Sequence, residues 1–457
     1  MSLRRLGKGV GAYAISQATG TVAVLILLPL LSHRWGLTLF GVWAMISTIP
    51  AMLVVGDFGI QSSAWSRMTM FVSRGELARA RAVLHTAWLA MAVIAATIAT
   101  LAAVTLWWLS DGVVPVAAGF GETESRATIM AFVLYGISAL LFGLITVVIR
   151  ASGHFPRAML SSTAAAAAEN LALIAGVLLG AGPLEGALIL LAARTVSLFV
   201  LWVSSVRRYA GLRPGFGAAS RGEWAELWPP ALHALSLGAG YLVFLQASVV
   251  VLGTVAGAAA VPVFVAVRTL SRIGVQAAQL VSWPTAQEFG QEMARGNLFR
   301  AGRYFGLVAA TSIVMALGMG VGLAGLGRPV VALWTAGLIE PPMAFILVMA
   351  VSASATALWN PLSNLLLSVN AQKAIGYVSM AMAAGGLAFI AATGGALGAT
   401  SAGMAFACVD TAMLAACGVF LARHWLRDPE FRRGAAASLA DLRSPLTTLR
   451  AHRAGRS

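Results

Sequence analysis

Residues Gly36–Arg81 read GLTLFGVWAMISTIPAMLVVGDFGIQSSAWSRMTMFVSRGELARAR. An apolar segment is interrupted by one acid, Asp57, and closes on a basic turn, Arg74-Gly75-Glu76-Leu77-Ala78-Arg79-Ala80-Arg81. The same plan returns 221 positions later, where Arg74-Gly75-x-Leu77-x-Arg79-Ala80 is echoed by Arg295-Gly296-x-Leu298-x-Arg300-Ala301. The echo again follows a long apolar segment that carries charge. A duplicated unit of this length, built of membrane-length segments, is a sequence mark of transporters.

The totals agree with a membrane setting. Of 457 residues, 59% are hydrophobic and 10% charged, against about 25% charged in an ordinary soluble domain. So little polar surface cannot cover a soluble globule of this size, and lipid must be the main solvent. The net charge of +15 would suggest nucleic acid in a soluble chain, but its placement points elsewhere. Cys408 and Cys417 stand roughly 13 Å apart along a helix, too far for a disulfide. The N-terminal Arg4, Arg5 and Lys8 precede an apolar run, Val10 to Leu31, that is too long for a signal peptide and is taken as the first span.

A helix of about 20 residues crosses the hydrocarbon. Twelve segments qualify: 10–32, 38–62, 82–109, 127–149, 158–181, 184–206, 229–252, 256–282, 302–327, 342–369, 374–394 and 396–422. With the N-terminus inside, inner segments hold 25 of the 31 Lys and Arg; only Arg34, Arg126 and Arg328 fall outside, and three lie within spans. That asymmetry sets both termini on the cytoplasmic side. The expected fold is therefore an all-α polytopic membrane protein of about twelve helices in two six-helix bundles related by pseudo-two-fold symmetry. The expected organisation is an N-terminal bundle over 1–206, a cytoplasmic linker and hinge over 207–228, a C-terminal bundle over 229–422 and a basic tail over 423–457. The basic loops and tail suit anionic membrane lipids as partners rather than nucleic acid. The tail reads either as an amphipathic helix on the inner leaflet or as a solvated extension.

No enzyme motif is present: there is no Walker loop, no paired-His metal spacing and no nucleophile elbow, and no cofactor or metal is expected. Asp57-Phe58-Gly59 matches the kinase metal-binding triplet without any other kinase element. The informative residues are ionisable groups inside spans, since each must face a cavity or a partner. The acids are Asp57, Glu169 and Asp410; the bases are Arg194, Arg268 and Arg272. Three of each would allow full pairing, so Asp57, Glu169, Arg194 and Asp410 read as ion pairs or as coupling groups. Arg268 and Arg272 are four apart and stack on one face, with Gln276 and Gln279 continuing the stripe. Two adjacent guanidinium groups repel unless an anion or acids meet them, and Arg binds phosphate as a fork. A diphosphate in a central cavity suits the stripe; pairing with Asp57 is the rival reading. Ser352, Thr356, Asn360, Ser363 and Asn364 form a neutral polar stripe, with Asn370 at its inner end and a kink expected at Pro361. Its amides read either as interhelical hydrogen bonds or as contacts to sugar hydroxyls. His233, on one side of its span with Ser236, reads as a packed helix-end residue or as a proton relay, and His85 at the start of the third span as an interfacial group. Trp107, Trp108, Trp283 and Trp334 read as interfacial anchors; Trp43 and Trp359 lie deeper and read either as lipid-facing or core packing or as a stacking surface for a sugar ring.

Gly36-Leu37-x-x-Phe40-Gly41-x-Trp43, Asp57-Phe58-Gly59-Ile60, Arg67 and the Arg150-x-x-Gly153 turn resemble the signature of polysaccharide-export and O-antigen-type flippases. That family lies in the multidrug/oligosaccharidyl-lipid/polysaccharide (MOP) superfamily. The resemblance implies outward flipping of a polyprenyl-diphosphate-linked oligosaccharide across the bacterial inner membrane, for surface polysaccharide or lipopolysaccharide assembly. It also implies a cationic central cavity, carried here by Arg268 and Arg272, with Asp57 and Arg34 as further candidates, and polysaccharide polymerase or synthase proteins as possible partners. The related lipid II flippases usually have more spans and a basic residue deeper in the first helix, and this chain departs from both. Two other functions fit the residues: a cation-coupled multidrug exporter of the same superfamily, which requires an acid-lined cavity, and a non-transporting membrane scaffold for polysaccharide synthases.

Overall fold

The computed structural model describes residues 3–108, 112, 114–369, 371, 373–438 and 440. Asp111, Asn370, Gln372 and the tail from 441 lie outside the described residues, as do the side chains of Arg4, Arg5, Lys8, His233, Ser236 and Lys373. The described chain is helical throughout. Its helices are α1 (Leu3–Ile46), α2 (Ile49–Leu53), α3 (Ile60–Ser73), α4 (Leu77–Trp108), α5 (Glu122–Ala151), α6 (Phe155–Leu178), α7 (Pro183–Arg208), α8 (Arg221–Ala256), α9 (Ala260–Ala294), α10 (Leu298–Trp334), α11 (Met343–Ser368), α12 (Lys373–Leu397) and α13 (Ala399–His424). Among the described residues β-pairing is confined to a single bridge, Ala117 with Phe120.

Nine helical segments among the described residues are long and apolar enough to cross a membrane. The first of them, Ile15–Asp57, is two spans joined at Gly36, whose φ of 76° and ψ of 164° interrupt α1. Two further helices, α8 with 36 residues and α9 with 35, have the length to cross, and counting them brings the total to about the expected twelve. Helix α9 carries Arg268 and Arg272 in its first half and Glu288 and Glu292 in its second.

The sequence repeat is a repeat of backbone geometry. Gly75 (φ +76°) and Gly296 (φ +73°) occupy the left-handed region that glycine reaches without a Cβ clash. Around Gly75, the Gly75 N–H donates to Val72 O, the Glu76 N–H to Phe71 O and the Leu77 N–H to Gly75 O. Around Gly296 the same three bonds run from Gly296 to Met293, Asn297 to Glu292 and Leu298 to Gly296. The correspondence extends beyond the expected motif. Gly36 and Gly257 are also 221 apart and share a conformation, Gly257 having φ 85° and ψ 152°. Each copy is thus a long apolar segment bounded by two glycine turns.

The two copies differ between those turns. The second runs as one helix, α9. The first, expected as a continuous span over 38–62, is broken instead. After Ile46 the chain makes a turn at 47–48, the short α2, a 3-10 turn over Val54–Asp57 and a left-handed pair, Phe58 (φ 49°) and Gly59 (φ 75°), before α3 begins. Pro50 supplies no N–H for a continuous ladder, and Gly59 accepts the left-handed turn.

Packing divides the described chain into two units. The first holds residues up to Val265 with Ala332–Ile339 and Ile390–Ala399; the second holds Ala266–Val331, Glu340–Phe389 and the residues from Thr400. In the first, Ile60, Ala64, Met68 and Phe71 of α3 pack with Val83, Leu84, Ala87 and Met91 of α4 and Leu144, Ile145 and Val148 of α5. In the second, Val275, Ala316 and Ala357 join α9, α10 and α11.

The segment 207–228, expected as a hinge, is fastened to the first unit. Arg67 of α3 meets both Glu223, at 2.6 Å, and Glu226. The Arg81 Nε donates to Gly211 O at 3.0 Å, and His85 Nδ1 accepts from the Ala218 N–H at 2.9 Å. The Ser63 hydroxyl donates to Leu227 O at 3.0 Å. The start of the tail is likewise ordered: residues 429–438 form a helix rather than a solvated extension.

Close packing makes some glycines obligatory. A Cβ on Gly41, the glycine of the Phe40-Gly41-x-Trp43 motif, would overlap the backbone carbonyl of Ala258, whereas one on Gly318 meets nothing within 4 Å. Backbone cannot yield as a side-chain tip does, so Gly41→Ala is expected to cost about 1–3 kcal/mol. Thermal unfolding of the detergent-solubilised protein should show a lowered midpoint for Gly41→Ala and an unchanged or raised one for Gly318→Ala.

Candidate functional site

In the first unit, α5, α6 and α7 bring three polar side chains together inside the bilayer span. Arg194 donates to Glu169 Oε2 at 2.8 Å and to the Tyr135 hydroxyl at 3.0 Å, and that hydroxyl donates to the same Glu169 oxygen at 2.7 Å. The guanidinium carbon stands 5.2 Å from the ring centres of both Tyr135 and Phe142. Glu169 is 3% exposed. A carboxylate and a guanidinium placed this way neutralise each other and are solvated by a phenol and two π faces. Glu169 and Arg194 were both expected as intramembrane charges; Tyr135 was not singled out, since one phenol in an apolar span carries no partner information. The cluster is not complete in itself: Glu169 Oε1 and Arg194 Nε are buried without a hydrogen-bond partner.

Asp57 sits at the break between α2 and α3. It is 9% exposed. Its carboxylate lies against the N–H groups of Gly59, Ile60 and Gln61, the end of α3 where the helix dipole favours a negative charge. Its Oδ1 has no hydrogen-bond partner. Arg34 is exposed on α1, two residues before Gly36. Of the readings open for Trp43, the geometry matches core packing: it is 7% exposed and packs edge-on against Trp35 and Phe132, with ring centres 5.5 and 5.4 Å away.

In the second unit, α9 and α11 carry the two expected stripes. On α9, Val267, Ser271, Val275, Ala278 and Ser282 are buried. Arg268, Gln276 and Gln279, one position on, are half-buried, and Arg272 is exposed. The polar stripe therefore follows the edge of the buried face. Arg272 lies about 18 Å along the helix from its first residue, Ala260, well within a hydrocarbon thickness of about 30 Å. Among the described residues it has no hydrogen bond and no carboxylate partner.

The amides of α11 reach across to α9. Gln279 Nε2 donates to Asn360 Oδ1 at 2.8 Å, and Asn364 Nδ2 donates to Ser282 Oγ at 2.9 Å. Helix α11 continues through Pro361, so the expected kink does not end it. Asp410 on α13 is fully buried. It accepts from the Ser352 hydroxyl at 2.6 Å and the Trp359 indole N–H at 3.1 Å. Both donors stand on α11, and the sequence pattern does not pair either with Asp410. Among the described residues no group of three or more His, Cys, Asp or Glu is placed to hold a metal ion.

The Glu169–Arg194 geometry makes a quantitative prediction. Removing one partner leaves an uncompensated buried charge, at a cost of about 3–5 kcal/mol, whereas replacing both by apolar groups is close to neutral. Arg194→Met should therefore strongly lower the thermal unfolding midpoint. The Glu169→Leu/Arg194→Met double variant should recover most of the loss. A double variant no more stable than Arg194→Met alone would show that the two residues are not coupled.

No protein-family model matches the sequence, and no curated protein matches it. Solved structures do match over nearly the whole length. The lipid II flippase MurJ in an inward closed conformation superposes with a TM-score of 0.67 at 12% identity, covering 95% of this chain and 92% of that one. A MOP-superfamily transporter from Pyrococcus furiosus, described as having a binding pocket of reverse polarity, gives 0.62 at 14%, covering 95% of each. A multidrug-resistance MATE transporter of the MOP superfamily in its inward-facing conformation gives 0.61 at 14%, covering 96% of each. At such identities the likeness concerns the fold, and the chain has the all-helical, polytopic fold of MOP-superfamily transporters.

Proposed function

We propose that this protein flips a polyprenyl-diphosphate-linked oligosaccharide across the bacterial inner membrane by alternating access, for surface polysaccharide assembly. The observation that carries the reading is Arg272: a guanidinium exposed in mid-span, one helical turn from Arg268, without a carboxylate partner among the described residues. An arginine in that position cannot face hydrocarbon at acceptable cost. It needs water or an anion. A diphosphate offers the oxygen pairs that guanidinium groups bind as forks. The acids support the same choice over a cation-coupled drug exporter. Glu169 is occupied by Arg194 and Tyr135, and Asp410 by Ser352 and Trp359, which leaves Asp57, with its unpartnered Oδ1, as the acid available for coupling. Asn360 and Asn364, already engaged with α9, would present their remaining hydrogen-bonding capacity to the head group.

Two measurements test the reading. In cells, Arg268→Ala/Arg272→Ala should abolish surface polysaccharide while the protein remains in the membrane; normal polysaccharide in the double variant would overturn the assignment. In membranes, Cys408 and Cys417 are first replaced. Arg272→Cys should then react with a charged thiol reagent, and a polyprenyl diphosphate should block the reaction. Failure to label would place position 272 in a dry, structural setting and favour the scaffold reading.

A further inference from the structure

The helix at 429–438 follows directly on α13 and is a built element. Asp428 caps it: its Oδ1 accepts from the Glu430 N–H at 2.8 Å and the Phe431 N–H at 3.1 Å. Its inner face is locked onto α10 by backbone contact. A Cβ on Gly302 would overlap the Phe431 carbonyl, one on Gly306 the Ala435 carbonyl, and one on Gly434 the Phe299 carbonyl. Small residues spaced four apart let two helices approach in this way. An aromatic cluster completes the seat. Phe431 is 1% exposed and lies between Phe289, Phe305 and Trp425, with ring centres 6.4, 5.4 and 5.9 Å away.

The exposed surface around the helix is of opposite character, with Arg423 in the last turn of α13, Arg427 in the connecting turn and Arg432 and Arg433 on the helix itself. Arg423, Arg427, Arg432 and Arg433 are exposed, as is Arg300 on α10 beside Phe299. One acid among them is exposed, Glu430, which stands 3.9 Å from Arg433; Asp428 is used in the cap. The chain continues with Arg443, Arg450, Arg453 and Arg456 against a single acid, Asp441.

Position decides what this face meets. Only the turn at 425–428 separates the helix from the membrane span α13. The helix packs on the ends of α9 and α10 that flank the Gly296 turn, so its arginines are held beside the bilayer surface rather than on a tether. We propose that the face formed by Arg423, Arg427, Arg432 and Arg433 binds the phosphate head groups of anionic phospholipids in the adjoining leaflet, making the C-terminal helix a fixed lipid-binding strap. A basic group near a charged leaflet contributes about as much as a tenfold change in affinity every one to two residues, and a preorganised face avoids the ordering cost of a disordered tail. The proposal is independent of the transported substrate.

The test uses the full-length protein in nanodiscs of phosphatidylcholine with and without phosphatidylglycerol. Hydrogen–deuterium exchange is followed over residues 423–438. Phosphatidylglycerol should slow exchange there by roughly tenfold or more at low ionic strength. The protection should vanish as added salt shortens the Debye length to about 3 Å. Replacing the four arginines by Gln should remove the protection, and replacing them by Lys should keep most of it. Both variants leave Phe431, Gly434 and Ala435 in place, so the docked helix itself should persist in plain phosphatidylcholine. Three results would overturn the proposal: equal exchange in the two lipids, protection that survives the Gln variant, or equal protection by soluble glycerol phosphate or a nucleic-acid polyanion in phosphatidylcholine discs.

Discussion

Hydrocarbon offers a polypeptide no hydrogen bonds and almost no solvation for charge, and the arrangement of this chain follows from that constraint. Backbone groups are satisfied within helices almost everywhere. Where a span is interrupted, at Ser47 to Gly59, the loosened N–H groups at the start of α3 face the Asp57 carboxylate. The buried charges obey the same rule by different routes. Glu169 and Arg194 neutralise each other and recruit Tyr135. Asp410 is satisfied by a hydroxyl and an indole N–H. Arg272 finds no such partner among the described residues, and it stands on the edge of a buried helix face rather than inside it.

The glycine turns show how the two copies of a repeated sequence share backbone geometry at their ends while differing between them. Gly36 and Gly257, and Gly75 and Gly296, hold the same backbone conformations 221 residues apart, because each fixes a reversal that a residue with a Cβ adopts only with strain. Between the turns the two copies differ. One copy carries Pro50, Gly56, Asp57 and Gly59 and breaks; the other carries Arg268, Arg272, Gln276 and Gln279 and stays helical. The repeat thus preserves its ends and specialises its middles, one holding an acid at a helix start and the other a basic stripe.

The helices were legible in the sequence because apolar runs of membrane length and basic turns leave strong local signals. The second span was misjudged because mean hydropathy does not register where a helix breaks; Pro50 and the Gly56-Asp57-Phe58-Gly59 run held that information locally. Which charged residues fall within segments of membrane length was also legible, but their partners were not. Glu169 and Arg194 are 25 positions apart, and their meeting depends on how α6 and α7 pack. Asp410 finds Trp359, 51 positions away, through a contact between α11 and α13 that no spacing rule anticipates. The seat of the C-terminal helix was hidden for a similar reason: Gly302, Gly306 and Gly434 acquire meaning only once the backbones they admit are known.

These differences in satisfaction separate structural charge from functional charge. A pair such as Glu169–Arg194 gains nothing from a ligand, since each group already has its counter-charge, and a substrate would have to displace one to use the other. Arginines on an exposed face are in the reverse position. Without an anion they depend on water, and binding an anion satisfies them without breaking an internal contact. The same reasoning applies to Arg272 in the span and to the arginines flanking the C-terminal helix. In the two proposals made above, the places differ in the anion each would reach: a diphosphate entering the protein in one case, and the head groups of the surrounding leaflet in the other.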